Sequence, residues 1–280
     1  MDTVVKRLSL VLLMPVLFAL PAAEQQSTPT FWELRPEQIS RMLLPLPENN
    51  QDRYTRLRQY FSDLHCGSKL TDEQLVGKQG EEDLICVLPG KSPQQIIVAA
   101  RYDRRWAPGG VVPGWNEAVM LPILYNALLA QTRERTFVFV ALSGNPGQIA
   151  FFDRLRKQRG NPPLAVVALD MLGLGTPWFY ASSVSWAASK KRERREAREQ
   201  LLSEATNTGR VTGAAGPSDV PLTPVQDSLL IEAGRIPAIL VCSHASGIAP
   251  DQAFRQDFEF LAYFLCRIDA KLASPRSSPE

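Results

Sequence analysis

The chain has 280 residues, of which 45% are hydrophobic, and its formal net charge at pH 7 is +2. This length and apolar content suffice for one α/β domain of about 240 residues, and they exclude an intrinsically disordered chain. The near-neutral charge gives no support for a nucleic-acid partner. The sequence also lacks a Walker loop and a Gly-x-Gly-x-x-Gly loop, so nothing in it supports nucleotide binding.

The first 23 residues have the layout of a secretory signal. Lys6 and Arg7 precede an apolar run over 8–20, and Ala22 and Ala23 follow it. The run is short for a membrane span, which needs about 20 apolar residues. We therefore predict a signal peptide over 1–23 and a secreted or periplasmic protein with no further stable membrane span. The alternative is an uncleaved signal that anchors the chain in the membrane.

Four cysteines lie beyond this signal, at Cys66, Cys86, Cys242 and Cys266. In an exported protein, four cysteines permit two disulfides with three possible connectivities. No spacing is Cys-x-x-Cys, so a structural zinc knuckle is not expected. The alternative is that Cys86, Cys242 and Cys266, which lie in apolar runs, pack as small hydrophobic side chains.

Four segments are predicted along the chain: the signal peptide, a lead-in, the main domain and a tail. Residues 24–49 are predicted to be an extended lead-in with a short helix from 36 to 44, and 273–280 a disordered tail. Helical spacing continues over 51–64, where Gly67 is a natural stop and His65 a capping or surface residue. The main domain is predicted to span 50–272, after the signal peptide and the lead-in.

Buried strands alternate with helices through the main domain. The apolar runs predict strands over 83–88, 95–100, 136–142, 164–169 and 237–242, and helices over 116–131, 148–158 and 254–272. This alternation indicates an α/β fold with a mostly parallel sheet covered on both faces, so functional residues are expected in loops at the carboxyl ends of the strands.

One region differs in composition from the rest. Basic and acidic residues alternate at three- and four-residue spacing over 189–205, which predicts a solvated helix or, alternatively, a basic face for a partner. Residues 206–219 are rich in Gly, Ala, Thr and Ser, and we expect a mobile loop there.

Five stretches in the expected order resemble motifs of the di-zinc aminopeptidase superfamily, which includes glutaminyl cyclases and the transferrin-receptor-like and nicastrin-like domains. They are LICVLPGKSPQQIIVAARYD, VPGWNEAVMLPILYNAL, RTFVFVALSGNPGQIAFF, AVVALDMLGLG and LLIEAGRIPAILV. The resemblance covers about residues 50–270. It implies a three-layer sandwich with a mixed, mostly parallel central sheet flanked by helices.

The resemblance assigns the retained site positions residue by residue. Asp103 matches the aspartate that supports the metal ligands, and Asp170 matches a terminal zinc ligand. His244 is the candidate for the last histidine ligand, which the family places several residues further on, nearer Ile248.

The other positions of this site are substituted. Arg101 replaces the first histidine ligand, Asn116 the bridging aspartate, Asn145 a glutamate ligand and Gly144 the general-base glutamate. A guanidinium has no lone pair for a metal, and catalytic zinc usually takes three protein ligands. A register slip of one residue would bring Glu117 to the bridging position instead. We expect Arg101 and Asp170 to form an ion pair where the metal would lie.

Three functional hypotheses follow. The first is a non-catalytic peptide- or protein-binding domain with no cofactor. The second is an enzyme, an aminopeptidase or glutaminyl cyclase with an altered zinc site that uses Asp170 and His244. The third is a structural domain of the cell envelope. The substitutions favour the first.

The Ser243–His244 pair and three tryptophans are further candidates for functional residues. Ser243 beside His244 does not make a serine hydrolase, because no Gly-x-Ser-x-Gly elbow is present and triad residues are not sequence neighbours. Trp106, Trp115 and Trp178 fall in or near the loops at the carboxyl ends, where they either line a binding cleft or anchor the loops.

Overall fold

The protein is described by a computed structural model. The described residues are 29, 31–74, 82–107, 110–157, 163–181, 191–214, 216, 230, 233 and 236–272. The expected signal peptide over 1–23 and the expected tail over 273–280 lie outside them.

A seven-stranded sheet forms the centre of the described chain. Its strands, in spatial order, are β1 (Leu70–Gln74), β2 (Glu82–Leu88), β6 (Arg135–Leu142), β3 (Ser92–Arg101), β7 (Ala165–Leu169), β9 (Ala238–Ala245) and β8 (Gly175–Ala181). The four central strands, β6, β3, β7 and β9, are parallel, and the outer pairs are antiparallel. A separate two-stranded ribbon pairs β4 (Arg104–Ala107) with β5 (Gly110–Pro113).

Helices cover both faces of this sheet. They are α1 (Pro36–Leu43), α2 (Asn50–Asp63), α3 (Trp115–Leu129), α4 (Asn145–Lys157), α5 (Lys191–Thr212) and α6 (Pro250–Lys271). One hydrophobic cluster joins the sheet to α2, α3 and α6, and a second joins the opposite face to α4. The predicted α/β fold with a mixed, mostly parallel sheet between layers of helices is therefore confirmed.

The five predicted strands are all present because each is an apolar run buried on both faces. Every residue of β7, for example, is buried. Side chains of this kind each contribute about 1.5–3 kcal/mol when they leave water. The carboxyl ends of β3, β6, β7 and β9 lie together on one side, which we call the carboxyl edge. Their beginnings form the amino edge.

The structure corrects the sequence analysis at several elements. It adds β1 and β8, which the apolar pattern did not predict. The charged helix continues to Thr212, so the loop expected from 206 begins later. Its side-chain pair Arg195–Glu199 at 3.6 Å fits the predicted solvated surface. The rest of the expected loop falls mostly outside the described residues.

The end of α2 is fixed by His65 rather than by Gly67. His65 has φ of +59°, and the Cys66 amide donates to the Phe61 carbonyl at 3.0 Å while the His65 amide donates to Ser62 at 3.0 Å. These two bonds close the helix in the way a glycine at this position usually does.

One disulfide links this turn to the sheet. Cys66 and Cys86 are bonded, with Cα atoms 6.2 Å apart, and the bond joins the end of α2 to β2. Cys242 is free and buried, and Cys266 is free and half-buried. Of the two bridges that four cysteines permit, the structure therefore contains one.

Helix α6 reaches from the carboxyl edge to the amino edge. Near its end, the Asp269 carboxylate accepts hydrogen bonds from the Glu134 and Arg135 amides at 2.9 and 2.8 Å. This contact fixes the start of β6 against the helix. Within the described ranges, no helix combines the length and the apolar content that a membrane crossing requires.

Candidate functional site

The sheet brings the predicted site positions to the carboxyl edge. Arg101 pairs in register with Leu142, so β3 and β6 end side by side. Ala100 pairs with Leu169, which places Arg101 beside Asp170 on the neighbouring strand. Arg101, Asn145 and Asp170 are therefore neighbours in the fold, because each lies at or just beyond the end of a central parallel strand.

Arg101 is the centre of a buried polar network. Its side chain is 5% exposed. Nε donates to Asp103 Oδ1 and Nη2 donates to Asp103 Oδ2, both at 2.9 Å, and Nη1 donates to Asn145 Oδ1. The expected pair with Asp170 is wrong, since the turn after β3 brings Asp103, two residues away, into bidentate contact with the guanidinium.

This network also borders Gly144, the position that the resemblance assigns to the general base. Gly144 is buried and has φ of +96°. A Cβ atom at this residue would lie 3.2 Å from Asp103 Oδ2. A glutamate at Gly144 would thus need both an unfavourable backbone conformation and a shift of Asp103.

A buried arginine supports the same turn from below. Arg53 of α2 is fully buried, and it donates from Nη1 to the Tyr102 carbonyl at 3.1 Å and from Nε to the Pro47 carbonyl at 3.3 Å. The Tyr102 hydroxyl donates to the Glu82 carbonyl at 2.9 Å. The sequence gives no sign of the role of Arg53, because α2 shows only the helical spacing of apolar residues that is usual for an amphipathic helix.

The loop 170–174 after β7 is held by side chains of α3. Asn116 Nδ2 donates to the Leu172 carbonyl at 2.9 Å, and Glu117 Oε1 accepts from the Met171 amide. Met171 has φ of +53°, an uncommon conformation for a side chain of this size. Asn116 therefore serves as a support for the loop in this structure, whatever the register of the motif.

Ser243 and Asp257 hold the same loop from two other elements. The Ser243 hydroxyl donates to the Met171 carbonyl at 2.8 Å and accepts from the Leu174 amide at 3.0 Å. Asp257 Oδ2 accepts from the Gly173 amide at 2.6 Å. Asp257 lies in α6, 84 residues further along the chain, so local sequence patterns could not reveal this contact.

Asp257 is an unusual carboxyl group because no solvent reaches it. Burial raises its pKa well above the ordinary value and the nearby Glu117 raises it further, while the Gly173 amide and the polar Ser243 hydroxyl lower it. Desolvation is the largest cause, since a buried charge loses its hydration. At pH values between the ordinary pKa of an aspartate and the raised pKa of Asp257, this side chain is therefore mostly the neutral acid.

His244 lies within β9 rather than beyond it, which corrects its expected place after the last strand. Its Nε2 is 3.0 Å from the Tyr180 hydroxyl and 4.0 Å from Cys242 Sγ, and its ring meets Trp178 edge-on at 5.5 Å. Burial, with Asp170 and Asp257 as smaller causes, raises the pKa of Cys242 to about 12, so this thiol is not a ready nucleophile.

The pair Ser243–His244 does not form a dyad. Successive strand residues point to opposite faces of a sheet. Ser243 contacts the loop 170–174 on one face, whereas His244 contacts Tyr180 on the other. The two side chains therefore lie on opposite faces of the sheet, which agrees with the prediction that the protein is not a serine hydrolase of this kind.

The three tryptophans have different places. Trp115 is fully buried and its Nε1 donates to the Leu43 carbonyl at 3.1 Å, so it anchors α3 to α1. Trp178 is half-buried beside His244. Trp106 belongs to β4, and its side chain lies outside the described part of the chain.

The described residues at the carboxyl edge do not provide a set of zinc ligands. Among the described residues, no group of three His, Cys, Asp or Glu side chains is placed to hold a metal. Arg101 adds a permanent positive charge with no lone pair to offer, and its donors are already directed at Asp103 and Asn145. The chemistry of this donor set is that of an internal ion pair.

Comparison with solved structures gives the same architecture at low sequence identity. LapB of Legionella pneumophila matches with a TM-score of 0.60 and 14% identity over 85% of this chain and 73% of its own. The L. pneumophila LapA aminopeptidase has a TM-score of 0.58 and 13% identity over 95% and 81%. The glutaminyl cyclase of Fimbriiglobus ruber has a TM-score of 0.58 and 14% identity over 84% and 97%.

Two other comparisons found no relative. No family model matches the chain, and no curated protein matches it. The similarity therefore resides in the fold, which the order of the five sequence motifs had indicated. The chain therefore has the α/β fold of these solved structures, which include an aminopeptidase and a glutaminyl cyclase.

Proposed function

We propose that this protein is a non-catalytic member of the aminopeptidase-like fold that binds a peptide or protein partner at its carboxyl edge. The observation that carries the proposal is the bidentate Arg101–Asp103 pair, buried where the resemblance places the first metal ligand. Fold alone does not establish activity, because function depends on the residues of the site.

The chemistry of hydrolysis needs groups that this site does not supply. A metal-bound water requires several lone-pair ligands and a nearby base to take its proton. Gly144 has no side chain at the base position, and Asn116 and Asn145 are neutral amides already engaged with Leu172 and Arg101. The competing proposal is a single zinc held by Asp170 and His244.

Zinc content distinguishes these proposals. The protein is purified without chelator and dialysed against zinc, and metal per chain is measured by elemental analysis. We expect far less than one ion per chain, and one or two tightly held ions would contradict the proposal. The matched control carries Arg101→His, Asn116→Asp and Asn145→Glu, and should gain zinc if these positions correspond to ligands.

Binding is tested by selection from a displayed library of linear peptides. Leu174, 42% exposed, follows the loop 170–173 at the carboxyl edge, and Leu129, 44% exposed, ends α3 at the amino edge. Selected peptides should bind at least about tenfold more weakly to Leu174→Asp and equally well to Leu129→Asp, since a charge disrupts only a contacting apolar surface. Equal effects of the two variants, or no selected peptide, would count against the proposal.

An exported location is part of this proposal. It is supported by the pattern of residues 1–23 and by the Cys66–Cys86 disulfide, because such bonds persist mainly in oxidising compartments. Mass spectrometry of the native protein should give Glu24 as the first residue. A chain that retains Met1 in the membrane fraction would support the anchored form instead.

A further inference from the structure

A cavity of about 440 Å³ opens at the amino edge, away from the carboxyl-edge residues described above. It lies between the ends of α3, α5 and α6 and the start of β6. Its size falls within the range of small-molecule sites, which is about 300–1,000 Å³. Neither the resemblance nor the comparisons assign a ligand to this place.

The walls of the cavity are largely apolar. Leu128, Phe137, Val211 and Tyr263 contribute aliphatic and aromatic surface to its lining. Cys266 also lines it, and burial, with Asp269 as a smaller cause, raises the pKa of this thiol to about 12. The thiol is therefore uncharged at neutral pH, and this wall suits the apolar body of a ligand.

Most charges around the cavity are neutralised by partners within the protein. Arg267 and Lys271 both contact Glu204, at 2.7 and 3.5 Å. Asp269 accepts two backbone amides, and Glu134 pairs with Lys91 at 2.7 Å. Each of these groups thus has a partner within the protein, although Arg267 and Lys271 share one carboxylate and leave one positive charge in excess.

Arg133 is the exception among these lining residues. Its Nε donates to the Pro89 carbonyl at 3.3 Å. Its Nη1 donates to the Leu128 and Leu129 carbonyls at the end of α3 and, at 2.6 Å, to the Gln131 carbonyl just beyond the helix. Within the described part of the chain, its Nη2 makes no hydrogen bond and no carboxylate pairs with it. A guanidinium held this way keeps its positive charge and the N–H groups of Nη2, which can donate a charge-assisted hydrogen bond to an anion.

The Tyr263 hydroxyl is a second polar group available to a ligand. The described contacts of Tyr263 consist of an edge-on ring contact with Phe31 at 5.2 Å. The hydroxyl therefore has hydrogen-bonding capacity that the described protein groups do not use. A few polar groups within apolar walls are typical of sites for small amphipathic molecules.

We infer that the amino-edge cavity binds a small amphipathic carboxylic acid, with its carboxylate at Arg133 and its apolar body against Phe137 and Tyr263. The inference does not depend on the proposed function, because it uses none of the carboxyl-edge residues. Charge complementarity favours the carboxylate over a neutral or cationic head group.

Octanoate and 1-octanol are the probes, since they share a chain and differ in charge. Isothermal titration of the full chain should show one saturable octanoate site and about tenfold weaker binding of octanol. Arg133→Gln should weaken octanoate about tenfold and leave octanol unchanged, whereas Arg133→Lys should retain most of the octanoate affinity. Octanoate binding that is unaffected by Arg133→Gln would overturn the assignment.

A second variant keeps the test independent of the folding role of Arg133, which also caps α3. Ala270 lines the cavity but is an exposed residue of α6, so Ala270→Trp should fill the cavity without loss of fold. Octanoate binding should then be lost, while circular dichroism and zinc content stay the same. Saturable binding that survives Ala270→Trp, or no binding to the unaltered protein, would refute the cavity as the site.

Discussion

The two edges of the sheet differ in how their polar groups are used. At the carboxyl edge, Asp103 and Asn145 both accept hydrogen bonds from Arg101. The loop 170–174 is held there by the side chains of Asn116, Glu117, Ser243 and Asp257. At the amino edge, an open cavity is lined by an arginine whose Nη2 has no described partner. The edge where the resemblance places the metal ligands is thus filled by internal contacts, and the other edge retains room for a ligand.

This difference shows that polar side chains at the ends of parallel strands can serve the scaffold by bonding within the protein. Polar residues at the carboxyl edge now compensate one another, so their removal should lower stability. Residues at an open binding site behave differently, because their polar groups are not fully satisfied by the protein. Stability measurements can therefore separate the two edges.

The largest effect is expected for Arg101→Ala. It leaves the Asp103 carboxylate buried without its bidentate partner, which costs about 3–5 kcal/mol of unfolding free energy for a buried pair. Urea unfolding followed by circular dichroism measures this loss. The double variant Arg101→Met, Asp103→Asn should lose much less, since it leaves no unpaired charge. An unchanged midpoint for Arg101→Ala would remove the main argument that this pair stabilises the edge.

A smaller effect is expected for Gly173→Ala in the loop 170–174. Gly173 has φ of +80°, and a Cβ atom there would meet Asn116 Nδ2 at 2.7 Å. The left-handed conformation alone costs about 1–2 kcal/mol for a residue with a side chain. Gly213 is the matched control, since its φ is +75° and a Cβ atom meets no heavy atom within 4 Å. Gly173→Ala should be the more destabilising of the two in thermal unfolding, and equal losses would mean that the loop is not tightly held.

The smallest change in unfolding free energy at acid pH is expected for Asp257→Asn. The size of this change depends on pH. Because burial raises the pKa of Asp257 in the folded chain, its contribution to stability is complete below the ordinary pKa of about 3.9. That contribution falls as the pH rises from there toward the raised pKa, since unfolding then releases a proton. Asparagine cannot titrate, so the variant should lack this fall.

Urea midpoints between pH 4 and pH 8 test this slope. Asp153→Asn is the control, because the hydrogen bond from Arg156 lowers the pKa of this exposed carboxyl and gives the opposite sign. That variant should keep the fall of stability with rising pH. Parallel curves for Asp257→Asn and the unaltered protein would show that Asp257 does not titrate in this window.

The central strands could be predicted from the sequence, because apolar runs such as 95–100 are stable only where both faces of the strand are buried. It missed β8, where Pro177 and the alternation of polar and aromatic residues hide the strand pattern. It also misplaced the end of α5, because threonine and glycine suggested a loop although Thr208 and Thr212 bond back to the preceding helical turn.

For the site, the sequence located the positions but not their contacts. Strand ends place Arg101 and Asp170 side by side, yet the partner of Arg101 is set by the turn that carries Asp103. Asp257 could not be predicted, since nothing local marks an acidic residue in α6 as a support for a loop that precedes β8. The cavity at the amino edge depends on how three helices end, which periodicity does not determine.

Helix α6 has a consequence for the order in which the molecule is assembled. Through Asp257 it holds the loop at one edge, and through Asp269 it holds the start of β6 at the other. The loop 170–174 and the start of β6 both precede α6 in the chain. They are therefore synthesised before the helix whose side chains hold them. The contacts that fix the loop 170–174 and the start of β6 can therefore form only after α6 has been synthesised.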